Sequence, residues 1–149
     1  MNIHSALLRL AVEIDKVSSE WDSAAVLIVN DKGEGLILKR GPTAPWQPNV
    51  WNLPGGSRDP GEISSKAVAI REAQEEVGLT PKSPQLFEAI HHSEYLCHLY
   101  VSWGYSGTPT LDRAENTHMA WVGLDTLDDY KFIPGLKEPI RKALESFRT

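Results

Sequence analysis

The hydrophobic pattern of the first twenty residues is that of an amphipathic helix. Apolar side chains recur there at alternating steps of four and three residues, which places them on one narrow face: Ile3, Leu7, Leu10, Ile14 and Val17. Such a face usually packs against its own domain, although the same spacing is typical of a coiled-coil seam between subunits. The pattern predicts an N-terminal helical extension over 1–20 and a monomer or a homodimer.

The middle of the chain has the pattern of strands separated by turns. The apolar run "SAAVLIVN" predicts a buried strand, and "LILK", after the glycine turn "DKGEG", predicts the second strand of a hairpin. The segments "LFEAIHH", "YLCHLYVSWGY" and "HMAWVGL" are also strand-like. Three prolines in "GPTAPWQPN" predict an irregular loop.

Two further helices are predicted. The first runs from about Ser64 to Val77 and is ended by Gly78 and Pro81. The second lies in "IPGLKEPIRKALESF", interrupted or restarted at Pro139. Strands in the middle with helices around them indicate a mixed α/β fold in layers, and we expect residues 1–149 to form a single domain.

Composition narrows the classes of function. The formal charge of −5 at pH 7 argues against a surface that coats a nucleic acid polymer, which would need an excess of basic residues. The one cysteine excludes an internal disulfide and a cysteine-based zinc site. No apolar run reaches the roughly 18 residues of a membrane span. We therefore expect a cytoplasmic protein with no membrane association, whose partner is a small molecule.

The helix near residue 70 carries an unusual concentration of acidic residues. At about 100° per residue, Glu72, Glu75 and Glu76 fall on one side of it. The apolar residues Ile70, Ala73 and Val77 fall on the other side and are expected to face the core. No lysine offsets the acidic side, although Arg71 can reach Glu75 at i,i+4. Three converging carboxylates favour a hard cation such as Mg²⁺ or Mn²⁺, whereas an ordinary solvated helix face is the alternative.

The stretch from Gly56 to Leu79 resembles the Nudix box, G-x5-E-x7-R-E-U-x-E-E-x-G-U with U aliphatic. Eight positions match it at fixed offsets, and Ala73 is a small residue at the first U; the matches are Gly56, Glu62, Arg71, Glu72, Glu75, Glu76, Gly78 and Leu79. The flanking "WNLPGG" and "AENTHMAWVGLDTL" are also similar to the family, so the resemblance covers about 22–145. It implies a Nudix-like α/β/α sandwich with a mixed β-sheet, extended by the N-terminal amphipathic helix.

One residue more than the family pattern separates Glu62 from Arg71. An extra residue inside the helix would rotate the glutamate face by about 100°, whereas one before the helix only lengthens the loop. Because "AIREAQEEVG" keeps its own register, we place the extra residue in the loop. The resemblance implies that Glu62 pairs with Arg71, and the longer loop leaves open whether it still does.

The resemblance implies metal-dependent hydrolysis of a nucleoside diphosphate linked to another moiety, with water attacking phosphorus. By their match to the family, Gly55, Glu72, Glu75, Glu76 and Glu115 are the metal-binding candidates, and Gly55 would act through its carbonyl. Glu72 and Glu115 are joint candidates for the general base, with Asp112 a weaker third, and Arg71 completes the catalytic set. The structural positions of the box are Gly56, Glu62 and Gly78.

Other residues are candidates for substrate contact because of their chemistry. Lys39 and Arg40 end a predicted strand and could meet phosphate, Trp46 could stack on a base, and His118 follows Glu115 on the same loop. The histidines His91, His92 and His98 are expected at surface or edge positions.

Two alternative functions stay open at this point. Nudix folds also serve as non-catalytic nucleotide-binding modules, although the retained carboxylates favour an enzyme. A prenyl-diphosphate isomerase would be expected to present a catalytic cysteine in its pocket. Cys97 is the one candidate, and its strand-like surroundings favour a structural thiol.

Overall fold

The computed structural model describes residues 20–92 and 95–147, and the predicted N-terminal helix lies outside them. Within the described residues, nine strands form a four-stranded, a three-stranded and a two-stranded sheet. The strands are β1 (Ser23–Ile28), β2 (Gly35–Arg40), β3 (Trp51–Asn52), β4 (Gly55–Ser57), β5 (Thr80–Pro81), β6 (Gln85–His92), β7 (Tyr95–Ser102), β8 (Tyr105–Ser106) and β9 (Asn116–Val122). Two helices accompany them, α1 (Ser65–Val77) and α2 (Lys137–Phe147), with a short 3-10 helix at Leu127–Asp129.

The main sheet has the order β4-β1-β7-β6 and is mixed. Strand β1 pairs in parallel with β7, so that Ala25 lies beside Leu99, whereas the β1–β4 and β6–β7 pairs are antiparallel. All six residues of β1 are buried, which confirms the strand predicted from its continuous apolar run. The second sheet has the order β3-β2-β9 and contributes the other wall of the site described below.

The helices cover opposite sides of these sheets. Alternate residues of β1, such as Val26 and Ile28, share a buried cluster with α1, whereas Leu27 shares one with Ile140 and Leu144 of α2. Because successive strand residues point to opposite faces, each side chain of β1 serves one helix or the other. The α/β/α arrangement predicted from the sequence is confirmed.

Helix α1 begins and ends where the sequence predicts. Its N-cap is Ser64, whose side-chain oxygen accepts a hydrogen bond from the Ala67 backbone N–H at 3.1 Å. Its C-cap is Gly78, whose φ of 69° is left-handed and favours glycine. The buried face of the helix is formed by Val68, Ala69, Ala73 and Val77, together with Ser65. Ile70, which we expected to face the core, is only half-buried.

Three other expectations differ from the structure. Strands β1 and β2 do not form a regular hairpin, because both edges of β1 are occupied by β4 and β7; a single Val29–Gly35 bridge connects the two sheets. Helix α2 is not interrupted at Pro139, because the third residue of a helix needs no intrahelical N–H partner. His98 is fully buried rather than exposed, because its strand is central in the sheet and its side chain lies on the α1 side.

The buried His98 belongs to a polar network under α1. Its Nδ1 lies 2.8 Å from the Ser65 hydroxyl, which lies 2.6 Å from the Tyr100 hydroxyl. The His98 ring stacks on Trp21, and the Arg58 guanidinium lies over the Trp21 ring. Burial lowers the pKa of His98 below its usual range. Burial therefore disfavours the protonated form of this imidazole in the folded protein.

No helix in 20–92 or 95–147 is long and apolar enough to cross a membrane. The predicted cellular location and subunit state stay predictions.

Replacing Ser64 with alanine removes the acceptor for the Ala67 N–H. We expect the free energy of unfolding to fall by about 1 kcal/mol, as measured by urea denaturation. The Ser64→Asp variant retains a capping oxygen and should stay within about 0.5 kcal/mol of the parent. Equal stability of Ser64→Ala and the parent would show that this cap does not stabilise the helix.

Acidification should destabilise the protein through His98. Because the pKa of His98 is lower in the folded state than in the unfolded state, its contribution is present above about pH 6.5 and is lost as the pH falls below that value. We expect the unfolding free energy of the parent to fall more between about pH 7.5 and 5.5 than that of His98→Gln. Parallel pH profiles for the two proteins would contradict this prediction.

Candidate active site

Two glycines bring β4 into close contact with the acidic side of α1. The Gly55 backbone N–H donates a hydrogen bond to Glu76 Oε2 at 2.8 Å. A Cβ atom on Gly56 would clash with the Glu72 carboxylate, which would have to move away from the strand. Glycine at position 56 is therefore a condition for placing the Glu72 carboxylate against the strand.

The carboxylates at this contact are destabilised in their charged form. Burial, opposed by the Gly55 N–H and reinforced by the charges of Glu72 and Glu115, raises the pKa of Glu76 to about 8. The pKa of Glu72 is also raised, chiefly by burial, although the adjacent Arg71 lowers it. Glu115 interacts with both groups across the site although it is about forty residues away in sequence. Glu72, Glu76 and Glu115 thus all lie around one part of the structure, and their role stays a prediction.

Arg71 ties the loop before α1 to the helix. Its Nη2 lies 3.2 Å from both carboxylate oxygens of Glu62, and its Nη1 lies 3.2 Å from Glu72 Oε1 and 3.2 Å from Glu75 Oε2. The Glu62 side chain also accepts a hydrogen bond from the Asp59 backbone N–H at 2.7 Å. The Glu62–Arg71 pair is therefore retained, because the extra residue lengthens the loop and leaves the helix register unchanged.

A cavity of about 670 Å³ lies beside the carboxylates. Glu72, Glu76 and Glu115 line it together with Asp59, so these acidic side chains belong to one surface. Its remaining lining is largely apolar, and most of it comes from β1, β6, β7 and the segment before α2. A cavity of this size is large enough for a nucleotide-sized ligand.

Arg40 and Trp46 also line the cavity. The Arg40 Nε donates a hydrogen bond to the Trp46 carbonyl oxygen at 2.8 Å, and its guanidinium lies 5.7 Å from the centre of the Trp46 ring. These contacts fix the exposed indole, which belongs to the proline-rich loop, beside the end of β2. The pair thus forms part of the cavity wall.

Four other candidate residues from the sequence do not line the cavity. Lys39 and His118 face one another in the β2–β9 pairing and do not line the cavity. Glu75 is exposed and bound to Arg71, and it does not line the cavity either. Asp112, the weaker candidate for the base, is exposed on a loop and is likewise absent from the lining.

Several lining residues were not predicted from the sequence. They include Asp59, Asn52, Tyr95 and Asn116. Cys97 also lines the cavity, although the sequence suggested it only as a candidate isomerase nucleophile. Burial raises the pKa of the Cys97 thiol, whose hydrogen bond with Ser23 opposes the shift only in part. The alternation of β7, in which Cys97 and Leu99 share a face, could have indicated the cavity side of that strand.

The acidic side chains beside Gly55 supply oxygen donors but no complete set of metal ligands. In residues 20–92 and 95–147, no three carboxylate, imidazole or thiol groups converge into a complete ligand cage. The Gly55 N–H donates to one oxygen of Glu76, and Arg71 binds the carboxylates of Glu72 and Glu75. The buried, mutually repelling oxygens of Glu72 and Glu76 are nevertheless the hard donors that Mg²⁺ or Mn²⁺ prefers, and a cation would relieve their repulsion. The residues present therefore fit such an ion.

Comparison with known proteins identifies the family of this chain. The model of the NUDIX domain matches residues 20–144. The chain is 32% identical over 128 residues to an 8-oxo-dGTP diphosphatase of Escherichia coli (strain K12), covering 78% of this chain and 90% of that protein. It is 33% identical over 92 residues to a peroxisomal coenzyme A diphosphatase of Mus musculus, covering 59% and 35%.

The fold is also similar to solved structures. A MutT structure from work on the Aliivibrio salmonicida and Vibrio cholerae proteins superposes with a TM-score of 0.71, at 24% identity over 85% of this chain and 98% of that one. Members of the matched family generally need divalent metal ions. The chain therefore belongs to the Nudix family of hydrolases that act on phosphoric anhydride bonds.

Proposed function

We propose that this protein is a metal-dependent pyrophosphohydrolase that cleaves a nucleoside diphosphate linked to another moiety, with Mg²⁺ or Mn²⁺ as its cofactor. The observation that carries the proposal is that Glu72, Glu76 and Glu115 line the same nucleotide-sized cavity and interact with one another. An acidic group of this kind repels an anionic substrate unless a cation lies between them. The raised pKa of Glu76 indicates that its charge is also poorly compensated by the protein itself, and a bound cation would compensate it.

The proposed substrate class is nucleoside triphosphates, including oxidised ones. The Escherichia coli relative with 32% identity is named for 8-oxo-dGTP and is matched over most of its length. The coenzyme A diphosphatase is matched over only 35% of its length, so we rank coenzyme A derivatives second. Nucleotide sugars stay in the test panel because the cavity leaves room for a second moiety.

The proposed metal ligands are the carboxylates of Glu72, Glu75, Glu76 and Glu115 and the Gly55 carbonyl. When bound, the cation neutralises charge on the phosphate oxygens and lowers the pKa of water. Gly55 orients Glu76 through its N–H, and Arg71 orients Glu72 and Glu75. Glu62 in turn holds Arg71, so the loop fixes the orientation of the catalytic helix.

In the proposed reaction the oxygen of water attacks phosphorus, and the anhydride P–O bond breaks with its electron pair leaving on the phosphate oxygen. The proton of the attacking water passes to a carboxylate. Glu72 and Glu115 are the proposed proton acceptors, and their presence in the cavity lining supports both. Arg40 and Trp46 are proposed to contact the substrate; Lys39 and His118 are retained only as outer contacts, because neither lines the cavity.

The alternatives receive less support. The relatives named above are diphosphatases, which favours an enzyme over a non-catalytic module. Cys97 does line the cavity, as an isomerase would require. Its pKa is raised, however, so that the thiol is held protonated, whereas a nucleophilic cysteine needs a lowered pKa.

The first test of the proposal is a substrate panel with and without Mg²⁺. We expect turnover of nucleoside triphosphates that increases toward alkaline pH, because the nucleophile is a deprotonated water. Exhaustive chelation should abolish it, and Mn²⁺ or Mg²⁺ should restore it. The measurement is release of pyrophosphate and nucleoside monophosphate, and full turnover after chelation would contradict the proposal.

The Glu76→Gln variant should lose activity and gain stability. The amide can still accept from Gly55 N–H, but it lacks the charge that the cation requires, so kcat should fall by about 100-fold or more. Because the folded-state pKa of Glu76 is about 8, the chelated parent loses stability as the pH rises from about 4.5 through about 8. The chelated variant should lack this loss. Denaturation of both proteins at several pH values measures it.

The control for that experiment is Glu145→Gln, which removes an exposed charge from α2 far from the cavity. We expect unchanged turnover and a stability change within about 0.5 kcal/mol. If Glu76→Gln keeps near-parental turnover at saturating Mg²⁺, Glu76 is not a metal ligand.

The Glu62→Gln variant tests the anchoring of Arg71. Loss of this pair should lower the free energy of unfolding by about 0.5–1 kcal/mol, a range appropriate for partly exposed ions. It should also lower kcat, since Arg71 orients Glu72 and Glu75. Parental values of both quantities would show that the loop does not position the helix.

A further inference from the structure

The segment 107–115, which connects β8 to β9, packs against the C-terminal end of α1. Within it, the Thr110 N–H donates a hydrogen bond to the Val77 carbonyl and the Asp112 N–H donates one to the Glu76 carbonyl, both at 2.8 Å. These carbonyls belong to the last turn of the helix, where no N–H of the helix itself can reach them. The segment therefore completes the helix that carries the proposed metal ligands.

This close packing depends on glycine at position 107. Gly107 has a φ of 101°, and a Cβ atom there would lie 2.6 Å from the Gly78 carbonyl oxygen. The left-handed backbone and the missing side chain are both needed for the contact. The path of the segment beside α1 is therefore set by backbone contacts.

Asp112 connects the end of α1 with the turn that precedes β9. Its N–H binds the Glu76 carbonyl, and its side-chain Oδ1 accepts a hydrogen bond from the Ala114 N–H at 3.0 Å. An aspartate that accepts from a backbone N–H two residues later fixes the direction of a turn. On the other side of that turn, the Glu115 carbonyl accepts a hydrogen bond from the Gly41 N–H at 3.0 Å. The backbone of Glu115 is thus held on both sides.

The position of Glu115 matters because its carboxylate acts on the carboxylates of α1. Its charge contributes to the raised pKa of both Glu72 and Glu76, and all three side chains line the same cavity. Glu115 is exposed and lies in a turn, so local contacts must restrict its orientation. A misplacement of about 1 Å can lower the rate of an enzyme about 100-fold.

The contacts of Asp112 suit support better than proton transfer. Its side chain is exposed, does not line the cavity and already binds the Ala114 N–H. A general base must reach the attacking water directly or through one further water. The described contacts of Asp112 instead lead to Glu76 on one side and to the turn before Glu115 on the other.

We propose that Asp112 is a positioning residue that holds Glu115 beside Glu76 by linking the end of α1 to the turn before β9. The inference rests on the proposed function, in which both glutamates bind the cation. It assigns to Asp112 a role that needs its side-chain oxygen as a hydrogen-bond acceptor and does not need its charge.

Two substitutions separate these properties. Asp112→Asn retains an oxygen in the place of Oδ1, whereas Asp112→Ala removes it. With GTP and Mg²⁺, we expect Asp112→Asn to keep kcat within about twofold of the parent and Asp112→Ala to lower it about 10-fold, with KM within about twofold in both. A general base at this position would make Asp112→Asn as inactive as Asp112→Ala. Equal losses, or parental kcat in both variants, would overturn the inference.

A double-mutant cycle with Glu115→Gln distinguishes positioning from general destabilisation. The readout is Mn²⁺ affinity, measured by electron paramagnetic resonance of the free ion. Asp112→Ala should weaken Mn²⁺ binding about fivefold in the parent and less than about twofold in Glu115→Gln, because the carboxylate that it positions is absent there. Asp112→Asn should leave the affinity unchanged in both backgrounds. Equal weakening by Asp112→Ala in the two backgrounds would contradict the inference.

Asp31→Ala is the matched control, because it removes an exposed aspartate from the connection between β1 and β2, outside the cavity. It should retain the parental kcat and Mn²⁺ affinity. Thermal unfolding identifies any variant that does not fold. If Asp112→Ala does not fold, Asp112→Leu replaces it and should give the same losses, since leucine has nearly the shape of asparagine but no acceptor.

Failure of the proposed function would give a different result. If the parent binds Mn²⁺ but hydrolyses neither GTP nor ATP, the cycle in Mn²⁺ affinity decides the inference without turnover. If the parent binds no Mn²⁺, the proposed function and the inference are both contradicted. Additive effects of Asp112→Ala and Glu115→Gln in an active parent would contradict the inference alone.

Discussion

The half-buried carboxylates of Glu72 and Glu76 carry negative charge that few neighbouring groups in the protein compensate. One backbone N–H, from Gly55, and one guanidinium, from Arg71, are their described partners. These partners do not offset burial and mutual repulsion, since the pKa of both groups stays above its usual range. The architecture around them, with a glycine strand on one side and an arginine anchor on the other, keeps the carboxylates in place despite that cost.

The Arg71 network explains how the chain accommodates a departure from the box pattern. A loop can absorb one extra residue at small cost, whereas a helix cannot without rotating its faces. Because Arg71 is long and offers several donors, it contacts Glu62 on the loop and Glu72 and Glu75 on the helix at once. The same contacts that hold the loop therefore orient the proposed catalytic groups.

Much of the fold could be predicted from local sequence. The caps of α1 follow from Ser64 and Gly78, and the burial of β1 follows from its unbroken apolar run. The partners of β1 could not be predicted, because strand pairing depends on contacts distant in sequence. The expected hairpin with β2 was wrong for this reason, and so was the exposed His98, whose polar side chain is buried by a network that only the tertiary structure forms.

Part of the candidate site could also be predicted from local sequence, whereas the rest depends on the tertiary structure. Glu62, Arg71, Glu72 and Glu76 come from one continuous segment, so their spacing carries the information. The rest of the cavity is assembled from several strands, and nothing near Asn116 in sequence distinguishes it from a surface asparagine. Its burial and its place in the cavity lining are properties of the assembled sheets. Lys39 and His118 were chosen by chemistry alone, and the cavity does not include them.

The central claim is that the carboxylates beside Gly55 and Gly56 bind a divalent cation. The most direct measurement is a titration of the protein with Mn²⁺, in which electron paramagnetic resonance reports the concentration of free ion. The account predicts that the parent removes Mn²⁺ from solution saturably, that Mg²⁺ competes for the same sites, and that Glu76→Gln weakens this binding by about tenfold or more. Equal Mn²⁺ binding by the parent and the variant would contradict it.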